Sequence, residues 1–183
     1  KVIDSTTISE VADYLNKINT KIGIYAVKGN DDYNNYYEQI MSKTNIKIIN
    51  NTYEVIYYKD NYPILLTGIG SNIQDDSDVE LAFSYSEIDN LYTITLVHEP
   101  DLTDEILSKG KTDLILAGHS HNGQIRLPLI GGLTKKDGAK KYINSKYTID
   151  DTTLFISGGL GTSNYEFRLF NKPSINLYRL VSE

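Results

Sequence analysis

Residues 114–124 read Leu-Ile-Leu-Ala-Gly-His-Ser-His-Asn-Gly-Gln. Four apolar residues in succession form a short buried-strand pattern. The run ends abruptly in a polar cluster, where Gly118 allows a tight backbone turn so that His119 and His121 can reach into one site. Two other places share this layout. An apolar run over 22–27 leads into Gly29-Asn30-Asp31-Asp32, and a strong strand pattern over 91–97 runs straight into His98-Glu99-Pro100. Ligand sites in open α/β sheets lie beyond the carboxyl ends of the strands. If these strands are neighbours, the three clusters meet at one edge.

The histidine count sharpens this reading. The chain contains three histidines, and all three lie in these clusters. A lone His is more often a structural residue than a ligand. Three at strand ends, two of them spaced i and i+2, point to a metal site. Imidazole nitrogen suits Zn, Fe, Mn and Ni, and carboxylate or amide oxygen completes such sites.

Ile8, Val11, Ala12, Leu15 and Ile18 fall on one helical face, and the Ser/Thr cluster before them offers N-caps. A second helix is expected to begin near Asp32 and to carry Tyr36, Tyr37, Ile40 and Met41. Strand signals over 46–49, 53–58 and 64–67, with Asn-Asn and Asp-Asn turns between them, predict an antiparallel meander. Residues 69–90 are polar, with a helix expected around 78–84. A short helix over 103–108 stops at Gly110. A long loop with Gly131, Gly132 and Gly138 follows the His pair, and closing strands are expected over 153–157 and 175–181. Helices alternating with strands, plus antiparallel pieces, indicate a layered α/β domain.

Composition agrees with a globular chain. Of 183 residues, 40% are hydrophobic and 23% charged, and the formal net charge is −6. An acidic balance argues against a broad nucleic-acid surface, which needs Lys and Arg to displace counterions. The absence of cysteine removes disulfides, thiolate metal sites and cysteine nucleophiles. No apolar run approaches the roughly 18 residues of a membrane span. The 15 tyrosines read as amphipathic filler at half-buried positions. Gly118-His119-Ser120-His121-Asn122 falls short of a serine nucleophile elbow because Asn122 stands where the last Gly belongs. The loop 157–163 is glycine-rich but lacks the Gly-Lys-Ser/Thr of a phosphate-binding loop.

The residues Gly29-Asn30-Asp31-Asp32, the isolated His98 and the block Gly118-His119-Ser120-His121-Asn122-Gly123-Gln124 occur in order. So does the tail Gly159-Leu160-Gly161-Thr162-Ser163, followed by Arg168 to Pro173. With these motifs the chain resembles the calcineurin-like metallophosphoesterases, and within them the bacterial membrane-associated phosphoesterases and lipid A precursor hydrolases. The resemblance implies a four-layer αββα sandwich of two mixed sheets, here a single domain over 1–183. It also implies two divalent metal ions (Mn, Fe, Zn or Ni), with Asn30, His98 and His119 holding one and His121 helping to hold the other. Metal-dependent hydrolysis of a phosphomonoester or phosphodiester follows as the expected activity. The alternative is a degenerate domain of this kind that binds a partner without turnover.

Two departures matter. The family's opening Asp-x-His block is absent, and Lys1-Val2-Ile3-Asp4 falls where the next block, Gly-Asp-x-x-Asp, ends. The chain therefore reads as a domain incomplete at its N-terminus, with Asp4 either the last Asp of that block or an ordinary capping residue. The catalytic His of the family's Gly-Asn-His-Asp block is Asp31 here, so Asp31 is the catalytic candidate. It would serve as a general acid if its proton were retained. Arg126 and Gly161 are the substrate-binding candidates. Lys135, Lys136, Lys140 and Lys141 form a basic stretch that reads as a solvated loop or as a lid attracting phosphate or anionic headgroups. The resemblance implies a tie to the membrane through an upstream segment, and leaves localisation open between cytoplasmic and membrane-associated. Substrate and oligomeric state are not legible.

Overall fold

The structure is a computed structural model describing residues 4–58, 62–85, 90–163 and 166–181. The part of the Lys1–Asp4 comparison that rests on residues 1–3 lies outside these. Helix α1 spans Ser5–Leu15, and its N-cap is Asp4, whose side chain accepts from Thr7 N at 2.7 Å. The Ser/Thr cluster expected to cap the helix lies within its first turn instead. Asp4 is thereby a capping residue, and its carboxyl is held below the usual range chiefly by the Thr7 amide. Ile8 and Ala12 are buried, while Ile18 falls beyond the helix and is exposed.

Strand β1 (Tyr25–Ala26) is followed by α2 (Asn35–Met41), capped by Asn34, and by β2 (Lys47–Ile48). The expected meander is corrected here. β2 pairs in parallel with β1, and of the three expected strands just β3 (Thr52–Tyr58) and β4 (Tyr62–Gly68) pair antiparallel. The helix between β1 and β2 is a crossover, and a crossover favours the parallel pairing. Next come α3 (Val79–Ala82), β5 (Tyr92–Leu96), α4 (Thr103–Lys109) and β6 (Leu114–Ala117). A small antiparallel pair, β7 (Arg126–Leu127) and β8 (Gly131–Gly132), interrupts the long loop. The chain then forms the antiparallel pair β9 (Lys146–Ile149) and β10 (Thr152–Ile156).

Six strands form one mixed sheet in the order β3-β4-β5-β6-β10-β9. The central strands β4, β5, β6 and β10 run parallel. One core cluster holds Ile69, Val79, Ala82, Val97, Leu102, Ile106, Ile115, Ala117, Leu154 and Ile156, so α3 and α4 cover that face of the sheet. Elsewhere in the sheet, Thr67 donates to Thr95 at 2.9 Å and Thr95 to Thr112 at 2.8 Å, which satisfies buried hydroxyls. Strand β9 carries only a weak alternating pattern, too faint to read from the sequence. One further expectation fails. Residues 175–181 form no strand, since no neighbouring strand among the described residues offers them a ladder, and Ile175, Leu177 and Val181 are exposed. Among the described residues, no helix is long and apolar enough to cross a membrane.

Candidate metal centre

The parallel ladder continues past the strand ends and sets the histidines side by side. Val97 N donates to Leu116 O at 3.1 Å, and Gly118 N donates to His98 O at 3.1 Å. His98 and His119 therefore leave neighbouring strands at the same level. Their rings meet edge to face, with centroids 4.9 Å apart. Gly29 makes room for this arrangement. A Cβ there would lie 2.6–2.9 Å from the His98 ring.

Three donor atoms converge. His98 Nε2 lies 3.1 Å from Asn30 Oδ1 and 3.1 Å from His119 Nδ1. The surrounding network assigns their protons. His119 Nε2 lies 2.7 Å from the carbonyl oxygen of Asp137 and can only donate to it, so Nδ1 carries the lone pair. The Asn30 Nδ2 group donates to Asp31 Oδ1 at 2.9 Å, which turns its oxygen toward His98. A proton on His98 Nε2 satisfies one of the two acceptors facing it and leaves the other unpaired. A divalent cation satisfies all three donors. Spacings of 3.1 Å also match neighbouring ligands on an ion at about 2.0–2.1 Å, whose separations are about 3.0–3.4 Å. The donor set thus fits a divalent metal. Among the described residues, no three His, Cys, Asp or Glu side chains converge in this way. The convergent group is two imidazoles and an amide oxygen.

Electrostatics favour the same use. Burial, then the nearby His119, His121 and Lys136, pushes His98 down to about 4. Its imidazole is neutral at neutral pH, as a metal ligand must be. His121 is pushed down by burial and by Lys136. Its Nδ1 lies 3.2 Å from Gln124 Oε1 and donates to it, leaving Nε2 with the lone pair. The same Gln124 oxygen accepts from the Ser163 amide at 3.0 Å and the Ser163 hydroxyl at 3.2 Å. Gln124 is buried and orients His121.

The backbone that carries these groups is strained. His119, His121, Asn122 and Gln124 all have left-handed φ, at 56°, 48°, 52° and 31°. Left-handed conformations of residues other than glycine cost roughly 1–2 kcal/mol each and cluster at functional sites. Here the strain turns both imidazoles toward the edge of the sheet.

A cavity of about 450 Å³ is lined by Asn30, Asp31, His98, His119, His121, Lys136, Thr162 and Ser163. The structure therefore gathers Asn30, Asp31, His98, His119 and His121 around one opening. Asp31 is exposed at this opening. Arg126 does not line it. Its guanidinium donates to Asn122 O at 2.8 Å, Asn122 Oδ1 at 3.0 Å and Asn144 Oδ1 at 3.1 Å, beside a separate cavity. Gly161 lies next to the lining residue Thr162, and its carbonyl accepts from Arg168 Nε at 3.0 Å.

Sequence reasoning missed Gln124 as a positioning residue, and left Lys136 undistinguished from its neighbours. The loop that carries Lys136 is tied down by Asp101, whose carboxylate accepts from the amides of Lys140, Lys141 and Tyr142 at 2.6–3.0 Å. Gly138, at φ 79°, lies against Glu99, where a Cβ would come within 2.6 Å of its side chain. This anchoring brings the Asp137 carbonyl to His119 and Lys136 into the cavity. Lys140 and Lys141 pair instead with Asp137 and Asp104.

The chain is 29% identical over 176 residues to the uncharacterized metallophosphoesterase YkuE of Bacillus subtilis, covering 94% of this chain and 61% of that protein. It is 33% identical over 92 residues to the phosphodiesterase YaeI of Escherichia coli, covering 50% of this chain and 33% of that protein. A second uncharacterized metallophosphoesterase of B. subtilis, YkoQ, is 27% identical over 184 residues, with 94% and 67% covered. The chain thus spans about three fifths of the length of the first of these relatives. No family model matches the chain, and no solved structure matches it. Along nearly its whole length the chain is thus similar to bacterial proteins named as metallophosphoesterases.

Proposed function

We propose that the chain is the histidine-bearing part of a metal-dependent phosphoesterase. The observation that carries this reading is the approach of Asn30 Oδ1 and the lone pair of His119 Nδ1 to the single nitrogen His98 Nε2, each at 3.1 Å. Asn30, His98 and His119 would hold one divalent ion, and His121 would contribute to a second. When bound, such ions supply Lewis acidity and an activated water for attack on phosphorus.

The chain's own residues supply positioning. The Asp137 carbonyl fixes the tautomer of His119, and Gln124 fixes that of His121. Thr162, Ser163 and Lys136 offer polar contacts to a phosphoryl group entering the cavity. Asp31, exposed at the opening, would meet the leaving-group side of an ester. The same reading takes the six-stranded sheet and the β1–β2 ladder as parts of the two sheets of a four-layer domain. The E. coli relative named as a phosphodiesterase supports a phosphate ester as substrate.

The test is metal analysis together with hydrolysis of 4-nitrophenyl phosphate and bis(4-nitrophenyl) phosphate, made on the natural protein in full. Bound divalent metal and metal-dependent release of nitrophenol are expected. Absence of metal and of turnover on both esters would reject the enzyme and leave a binding module.

A further inference from the structure

Glu99 follows His98 directly and is fully buried, at 0% exposure, yet it does not line the cavity. Its oxygen Oε1 accepts from the buried hydroxyl of Ser71. Its other oxygen, Oε2, is buried without a hydrogen-bond partner among the described residues. An unpaired buried oxygen costs stability, and an apolar side chain of the same size would fill the space without that cost. Packing alone therefore does not account for a glutamate here.

Three segments meet around this side chain, and each carries or holds one of the three convergent donors. The first is the end of its own strand, which places His98. The second is the turn over 71–74. Ser71 opens that turn and bonds Glu99, while Gln74 Nε2 reaches Asn30 and donates to its carbonyl oxygen at 2.8 Å. The third is the loop over 137–139. Gly138 lies so close that a Cβ there would come within 2.6 Å of Glu99 Cγ and 2.9 Å of Glu99 Cβ, and within 3.4 Å of Ile73 in the turn. The Gly138 carbonyl accepts from Asp101 N at 3.0 Å, two residues beyond Glu99. Beside it, the Asp137 carbonyl accepts from His119 Nε2 at 2.7 Å. The segments that hold Asn30 and His119 thus both rest on the side chain that follows His98.

We propose that Glu99 is a positioning residue that sets the spacing of the Asn30, His98 and His119 donors, acting through Ser71 on one side and Gly138 on the other. The proposal rests on the metal-binding reading above and gives a role to a residue which that reading leaves unused. The physical reason is tolerance. Ligands on a divalent ion keep their distances to within about 0.2 Å, and three segments held separately would each add their own play. A closely packed buried side chain has few rotamers open to it, so contact with all three ties their movements together. Groups that orient ligands in this way are worth about 10–100-fold in metal affinity.

The experiment compares the natural protein in full with Glu99→Ala, Glu99→Gln and Gly138→Ala. In the metal-free proteins, proton–nitrogen NMR correlation spectra of the imidazoles report which nitrogen carries the proton. The parent should show His119 protonated at Nε2 and His121 at Nδ1. His121 takes its tautomer from Gln124, itself held by Ser163 and Phe167, and serves as the internal reference. Glu99→Ala should leave His119 a mixture of tautomers with His121 unchanged, and should lower Mn²⁺ affinity about tenfold in isothermal titration. Glu99→Gln keeps the volume and an oxygen for Ser71, and should stay within about twofold of the parent affinity with the parent tautomers. Gly138→Ala reaches the same contact from the loop and should reproduce the Glu99→Ala pattern. In the double variant the new Cβ finds room, so the two losses should be less than multiplicative. Parent-like tautomers and Mn²⁺ affinity in both Glu99→Ala and Gly138→Ala overturn the proposal. So does loss of both tautomers together, which marks a residue of the fold at large, and so does a Glu99→Gln variant no better than Glu99→Ala. If the parent binds no metal, the phosphoesterase reading fails, while the His119 tautomer, read without metal, still decides whether Glu99 positions that ring.

Discussion

Two strands, β4 and β6, flank β5 on either side, run parallel to it and end in polar clusters. They make opposite uses of their polar atoms. Beyond β4, Asp76 accepts from the Tyr33 hydroxyl at 2.5 Å and from Asn50 at 3.0 Å, and Tyr33 accepts in turn from the Ser71 amide at 3.1 Å. Asn51 accepts from the amides of Gly70 and Asp78 and donates to the Asp76 carbonyl. Donors meet acceptors throughout, and burial with the Asp76 contact drives Tyr33 up to about 12. Beyond β6, two acceptors face the one His98 nitrogen, the backbone runs through left-handed conformations, and a cavity opens. The first cluster is complete without a ligand and holds the fold together. The second leaves a lone pair that the cluster's own protons do not satisfy, and its donor set fits a divalent cation. Polar composition alone does not separate scaffold from site; the matching of donors to acceptors does.

The strongest way to break this contrast is to remove a lone pair. His119→Ala should lower metal affinity by at least about 100-fold, since even partners that only orient a ligand are worth about 10–100-fold. Isothermal titration with Mn²⁺ or Zn²⁺ measures this, and an unchanged affinity would move the metal elsewhere.

Acid should act next most strongly, through His98. Its folded value of about 4 lies below the ordinary 6.5, so the unfolded chain takes up a proton that the folded chain refuses. Stability of the metal-free protein is therefore full above about 6.5 and is lost as pH falls toward 4. The loss traceable to His98 is about 2–3 kcal/mol at pH 4.5. Urea midpoints at pH 7 and 4.5 for the parent and for His98→Gln should show a shallower acid loss in the variant. Parallel losses would contradict the assignment.

Gly29→Ala tests the close approach that lets His98 stand against Asn30. Its Cβ would press on the imidazole, so metal affinity should fall about tenfold. Retention of the parent affinity would show that the ring has room to move.

The smallest effect at the metal is expected from the other cluster. Tyr33→Phe removes a hydroxyl that both donates and accepts, and should cost about 1–3 kcal/mol in a urea titration while metal affinity stays within about twofold. A large drop in affinity there would join the two clusters into one unit.

The ease with which each part could be read follows from how local its determinants are. His98 and His119 were legible because an apolar strand and the residue after it are adjacent in the chain, and parallel strands of like length align their ends. Lys136 was not, because Lys135, Lys136, Lys140 and Lys141 look alike in sequence. Asp101, some forty residues earlier, holds the loop so that Lys136 lines the cavity while Lys140 and Lys141 find carboxylates. Arg126 follows the histidine block closely, yet the turn around Asn122 and Gly123 directs its guanidinium to Asn122 and Asn144. The alternating residues of 175–181 resemble a strand, but a strand is a property of a pair, and the partner edge is not in the local pattern.

The sequence by itself determined the mixed α/β character, the strands that end in polar clusters and the histidines that cap two of them, because apolar runs and their terminators act over a few residues. Tertiary structure decided which clusters are closed by their own hydrogen bonds, which lysine enters the cavity and which nitrogen of each imidazole is left bare. Those outcomes depend on carbonyls and carboxylates brought from distant parts of the chain. Hydrogen bonds act over about 3 Å in space whatever the separation in sequence.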